Sequence, residues 1–117
     1  MEQTVVEVTK DKFLGEKLDI WQFSKGFRGT MDTVLLAASI DAFSGQKVLE
    51  LGCGVGIGLC CLLSRIKCLE AYGIEIDQQA TELCKKNLST NNLEATIFNS
   101  DLSNKSTKIN EMSFDHI

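Results

Sequence analysis

Residues 47–58 read Lys-Val-Leu-Glu-Leu-Gly-Cys-Gly-Val-Gly-Ile-Gly. A short apolar strand, Val48–Leu51, runs into Gly52, Gly54 and Gly56, and an apolar segment of helical length follows at once. Strand, glycine turn and helix is the layout that brings a nucleotide against bare backbone. Lacking Cβ atoms, these glycines let the chain take φ > 0 and let a ligand approach closely. The spacing is G-x-G-x-G. A dinucleotide fingerprint, G-x-G-x-x-G, needs its third glycine where this chain has Ile57. Glu50, two residues before the first glycine, also stands where a dinucleotide site is usually apolar. A tight turn with no ligand explains neither three spaced glycines nor the acid.

Working outward, the pattern predicts alternating strands and helices. Thr4–Thr9 reads as a strand and Lys17–Phe23 as a second, with Gly15 in the turn between them, which predicts an N-terminal hairpin. Gly26 and Gly29 bracket a loop around Phe27-Arg28. Thr30 can cap a helix from about Met31 to Phe43, with Asp32 in its first turn favourable to the helix dipole. After the strand Lys47–Leu51 come an apolar helix over Val55–Ile66 and a strand over Leu69–Ile76. Asp77 can cap a helix over Gln78–Ser89, whose Ala80, Leu83, Cys84 and Leu88 share one face. Ala95–Asn99 is a third short strand, residues 100–112 are polar and loop-like, and Ser113–Ile117 opens a fourth strand. This order predicts an α/β fold with a parallel sheet and right-handed crossovers. Residues 1–45 are expected to form the hairpin and a lead-in helix, and residues 46–117 the first part of a nucleotide-binding unit.

Three features fall at successive strand ends, the edge where open α/β sheets bind ligands. The first is the glycine turn. The second is Glu75, 23 residues after Gly52 at the end of the second strand. There a carboxylate, with two acceptor oxygens, can take hydrogen bonds from both ribose hydroxyls. The third is Asp101, placed to accept from an adenine amino group, with the backbone N–H of Leu102 able to meet a ring nitrogen. Plainer readings stand beside these: Glu75 as a solvated strand-end acid, Asp77 as a helix cap, Asp101 as a loop acid. Glu50 is expected to help hold the glycine turn and to reach toward the cofactor's amino-acid end.

Composition narrows the function classes. A chain of 117 residues that is 44% apolar can bury one modest core. A net charge of −4 gives no general footprint for nucleic acid, although a local patch is compatible with it. The start, Met1-Glu2-Gln3-Thr4, has no signal-peptide character, and no apolar run approaches the ~20 residues of a membrane span. A soluble, cytoplasmic protein is expected. The five cysteines (Cys53, Cys60, Cys61, Cys68 and Cys84) contain no C-x-x-C, and His116 is the one histidine, so neither a zinc site nor a disulfide framework is expected. Cys53 has no His or Lys nearby in sequence to act as a base.

Glu50 to Gly56, E-x-G-x-G-x-G, matches the first motif of S-adenosylmethionine (SAM) methyltransferases. From about Asp11 to Ile117 the chain resembles the bacterial tRNA adenine-N(6) methyltransferases that act on a valine tRNA, within the small-domain methyltransferase group. Val48–Gly56 (VLELGCGVG) fits many methyltransferases. Phe13-Leu14-Gly15, Gln22, Gly26-Phe27-Arg28 and the run Asp32 to Ala38 (DTVLLAA) are more selective and look like that family's FLGG, Q, GYR and D-x-VLLAA segments. Phe27 stands where the family has tyrosine, Phe23 where it has proline, and Thr30 where it has glycine.

The resemblance implies the N-terminal part of a Rossmann-like methyltransferase fold, with about four parallel strands, flanking helices and the hairpin. It implies SAM as cofactor, bound by Arg28, Asp32, Glu50, Gly52, Cys53, Gly54, Gly56, Glu75, Ile76, Asp101 and Leu102. Arg28 and Asp32 would lie near the methionine end; a solvated loop charge is the other reading of Arg28. The family's catalytic motif, Asn-Pro-Pro-aromatic, follows its fourth strand, and these 117 residues contain no proline. No catalytic residue is therefore assigned, and this chain alone is expected to be inactive. The expected partner of a full-length parent is tRNA. The alternatives are a non-catalytic SAM-binding remnant, or a relative that modifies rRNA guanine or release-factor glutamine. A sheet left incomplete would expose apolar surface and favour self-association.

Overall fold

The computed structural model describes residues 7–13, 17–24, 42–101, 114, 115 and 117. The loop around Phe27-Arg28, most of the helix expected over Met31–Phe43, the loop at 102–112 and His116 lie outside them.

The hairpin pairs β1 (Val8–Phe13) with β2 (Leu18–Phe23) antiparallel, setting Val8 opposite Phe23, Lys10 opposite Trp21 and Phe13 opposite Leu18. β1 runs past the expected end at Thr9. Its alternation continues through Asp11 and Phe13, and the register gives Phe13 a partner because β2 begins only at Leu18. Leu18, Ile20 and Gln22 form the buried face of β2.

The remaining elements alternate as expected: β3 (Lys47–Leu51), α1 (Ile57–Arg65), β4 (Glu70–Glu75), α2 (Gln78–Thr90) and β5 (Thr96–Asn99). The three strands are parallel in the order β3-β4-β5, with Leu51 opposite Ile74 and Glu75 opposite Asn99, so their carboxyl ends share one edge. α1 starts two residues later than the apolar run suggests. Val55 belongs to the turn, and Gly56, at φ 89, is the N-cap. Asp77 caps α2 by accepting from Gln79 N–H at 2.9 Å and Ala80 N–H at 3.2 Å.

The main core joins Val48, Ala71 and Ile97 of the sheet to Leu59, Leu62, Cys84 and Leu88 of the helices and to Leu18 and Ile20 of the hairpin. A second cluster holds Leu49 and Ile74 with Tyr72, Phe98 and Phe114. Tyr72 stacks on Phe98 with centroids 6.5 Å apart, and Phe114 meets Tyr72 edge-on at 5.5 Å. Phe114 and Asp115 come from the expected fourth strand, and Asp115 lies beside β3. Its N–H donates to the Lys47 carbonyl at 2.9 Å, and Lys47 N–H donates to Asp115 Oδ2 at 2.7 Å. A side-chain carboxylate thus occupies a place that a backbone carbonyl holds in a ladder, and no strand forms among the described residues there. None of the described helices is long and apolar enough to cross a membrane.

Candidate functional site

The turn between β3 and α1 is held peptide by peptide. Gly52, Gly54 and Gly56 all take positive φ, at 65°, 56° and 89°. Cys53 N–H donates to the Ile74 carbonyl at 3.0 Å, Gly54 N–H to Glu75 Oε1 at 2.8 Å, and Gly56 N–H to the Cys53 carbonyl at 2.9 Å. The three glycines then diverge in role. A Cβ on Gly52 or Gly54 would meet no atom within 4 Å, so both border open space. A Cβ on Gly56 would sit 2.6 Å from Cys84 Sγ, so this glycine lets α2 pack against the turn.

Glu75 closes the end of β4. Besides Gly54, its carboxylate accepts from Asp77 N–H, through Oε2, at 2.9 Å. Each oxygen has accepted one of these bonds and retains a second lone pair for a ligand. Gly52, Ile74, Glu75, Ile76, Ser100 and Asp101 line one cleft of about 120 Å³ at the carboxyl edge of the sheet. Ile76, 67% exposed, forms an apolar wall. Asn99 fixes the floor, donating from Nδ2 to the carbonyls of Glu75 at 2.9 Å and Ile76 at 3.0 Å. This arrangement suits a ribonucleoside: acceptor oxygens of the acids for hydroxyl and amino donors, an apolar wall for a flat base, and bare backbone at Gly52 and Gly54.

The structure thus brings Gly52, Glu75, Ile76 and Asp101 to one cleft, with Gly54 tied to it through Glu75. Cys53 and Glu50 point elsewhere. The Cys53 side chain is buried, and its hydrogen bond with the Cys84 thiol, followed by burial, pushes the thiol far above its ordinary range. It has no thiolate character. Glu50 lies beneath α1, where its Oε2 is 2.6 Å from the point a Cβ on Gly58 would take. Burial pushes its carboxyl up to about 7. Arg28, Asp32 and Leu102 lie outside the described residues.

Sequence reasoning passed over Gly58, Gly73 and Asn99. A Cβ on Gly73 would meet Cys53 Sγ at 2.8 Å and Ile97 Cδ1 at 3.0 Å, so the strand interior needs glycine for the turn to settle on it. A glycine inside a strand is a legible signal of close approach. Asn99 carries no such mark.

Comparison with known proteins places this geometry. The pattern of the family described as "Methyltransferase small domain" matches residues 23–117. The ribosomal protein L11 methyltransferase of Thermotoga neapolitana is 29% identical over 68% of this chain and 30% of its own length. The ribosomal RNA small subunit methyltransferase C of Shewanella sediminis is 36% identical over 59% of this chain and 20% of its own. An rRNA N(6)-adenosine methyltransferase of Caenorhabditis elegans is 31% identical over 41% of this chain and 22% of its own. The chain therefore spans less than a third of the length of these relatives. A solved SAM-dependent methyltransferase from Geobacter sulfurreducens, in complex with S-adenosyl-L-homocysteine, superposes with a TM-score of 0.58 over 68% of this chain and 32% of that one, at 24% identity, a likeness of fold. The chain belongs to the methyltransferase small domain family, whose cofactor is S-adenosyl-L-methionine.

Proposed function

We propose that this chain is the cofactor-binding part of a methyltransferase that acts on an amino group of RNA, with tRNA adenine as the first substrate to test. The observation that carries the cofactor half of this reading is the cleft joining Gly52, Glu75, Ile76 and Asp101. When bound, the cofactor supplies an electrophilic methyl group on a sulfonium. In this reading Gly52 and Gly54 admit the ligand to the turn, Glu75 orients the ribose, and Ile76 and Asp101 receive the adenine. Arg28, Asp32 and Leu102 complete the set, with Cys53 inside the turn and Glu50 beneath α1. Where no strong base is needed, catalysis rests on orientation of this kind and on electrostatic stabilisation.

RNA is supported by the lead-in resemblance, by the two rRNA-modifying relatives, and by one surface feature. Trp21 carries two ammonium groups on its ring, Lys86 Nζ at 3.9 Å and Lys10 Nζ at 5.5 Å from the centroid. Cations around an aromatic plane suit a single-stranded polyanion. A second reading, a protein substrate, is favoured by the net charge of −4 and by the L11 methyltransferase relative.

Two titrations test the proposal. Calorimetry with S-adenosyl-L-homocysteine is expected to show binding that weakens at least tenfold in Glu75→Ala; equal affinities overturn the assigned site. Addition of tRNA is expected to quench the emission of Trp21, the chain's one tryptophan, and to lose effect as salt rises. Unchanged emission favours the protein-substrate reading.

A further inference from the structure

Two asparagines one turn apart, Asn87 in α2 and Asn91 at its C-cap, grip the hairpin in the same way. Asn91 Oδ1 accepts from Asp19 N–H at 2.9 Å, and its Nδ2 donates to the Asp19 carbonyl at 2.8 Å. Asn87 Oδ1 accepts from Trp21 N–H at 2.7 Å, and its Nδ2 donates to the Trp21 carbonyl at 2.9 Å. Each side-chain amide therefore stands in for a neighbouring strand along the free edge of β2. Asn87 is fully buried and Asn91 only partly so, and they differ in the remaining N–H. Asn91 directs it into its own helix, to the Asn87 carbonyl at 2.8 Å. Asn87 directs it out of the helix, to the Val55 carbonyl at 2.8 Å.

Val55 lies between Gly54 and Gly56, and its carbonyl accepts a hydrogen bond from α2. The turn is thus clamped from two sides, by Glu75 on Gly54 N–H and by Asn87 on Val55 C=O. Asn87 is fully buried, so none of its bonds can be exchanged for water.

We propose that Asn87 is a positioning residue for the cofactor turn, joining that turn to the N-terminal hairpin through one buried side-chain amide. The proposal rests on reading Gly52–Gly56 as the SAM-binding turn. A turn already held in its binding shape has less ordering left to do on ligand capture, so release of the Val55 carbonyl weakens affinity. The same link makes the hairpin at Trp21, where Lys10 and Lys86 meet the ring, respond to occupancy of the turn, whereas Asp19, gripped by Asn91, lacks that route.

The test uses the 117-residue chain with S-adenosyl-L-homocysteine as probe. Asn87→Asp and Asn91→Asp make the same change, retaining the acceptor oxygen and removing both donors, but only the first releases Val55. Calorimetry is expected to show affinity at least tenfold weaker in Asn87→Asp and within twofold of wild type in Asn91→Asp. Equal affinities in all three chains, or equal losses in both variants, overturn the proposal. Amide hydrogen exchange on the wild type decides the matter if Asn87→Asp does not fold. Saturating probe is expected to slow exchange at Trp21 N–H more than at Asp19 N–H. Equal slowing is global stabilisation alone and overturns the proposal. A wild type that binds no probe overturns the site reading and the proposal together. Binding to the wild type with no distinction between Asn87 and Asn91 overturns the proposal alone.

Discussion

At Glu50, Gly54 and Gly56 the residues of one motif separate into different physical jobs. Glu50 keeps its proton in the folded chain up to about pH 7, because burial disfavours the carboxylate, while the unfolded chain releases it near 4.5. Its contribution to stability is therefore fully present below pH 4.5, falls as the pH rises toward 7, and is level above that. Glu50→Gln is expected to flatten this decline and to leave the protein roughly 2 kcal/mol more stable above neutral pH, read from urea midpoints across the range. The glycines offer a paired comparison. Gly56→Ala puts a methyl group against Cys84 at positive φ and is expected to cost about 3 kcal/mol of stability. Gly54→Ala has the φ penalty without the clash and is expected to cost about 1 kcal/mol. The methyl group also fills the cradle, so loss of S-adenosyl-L-homocysteine affinity should be the larger effect there. Denaturation and calorimetry on both variants check the split.

Among the elements, α2 does the most joining. Its N-cap, Asp77, also gives its own N–H to Glu75, so the cap stands next to the cleft. Asp77→Ala removes the two capping bonds and is expected to cost about 1 kcal/mol in thermal or chemical denaturation. Its buried face supplies Cys84 beneath the turn and Asn87 to the hairpin and Val55. The extents of β3, β4, β5 and both helices were legible to within about two residues, because strand alternation and the Asp77 cap are local signals. β1 runs past its expected end at Thr9 because that limit is set by pairing with β2, and pairing is not a local property.

For the whole molecule, the two faces of the sheet differ. One is covered by α1 and α2, while the other carries Tyr72, Phe98 and Phe114, with Leu51 49% and Ile76 67% exposed nearby. Apolar exposure of this kind favours association. Sedimentation of the 117-residue chain is expected to show mass rising with concentration, and Leu51→Lys to reduce the rise; constant monomer mass contradicts this.

The residues themselves determined the α/β alternation, the glycine turn and the acids at the strand ends, because strand period, helix period and glycine's freedom of φ are properties of adjacent residues. Only the tertiary structure decided that Gly56 serves packing while Gly52 and Gly54 border open space, that the Cys53 thiol turns inward to Cys84, and that Asn87 holds Val55. Each of those outcomes depends on what another element places against the turn, and contacts made across 28 or more positions of sequence leave no mark in its local pattern.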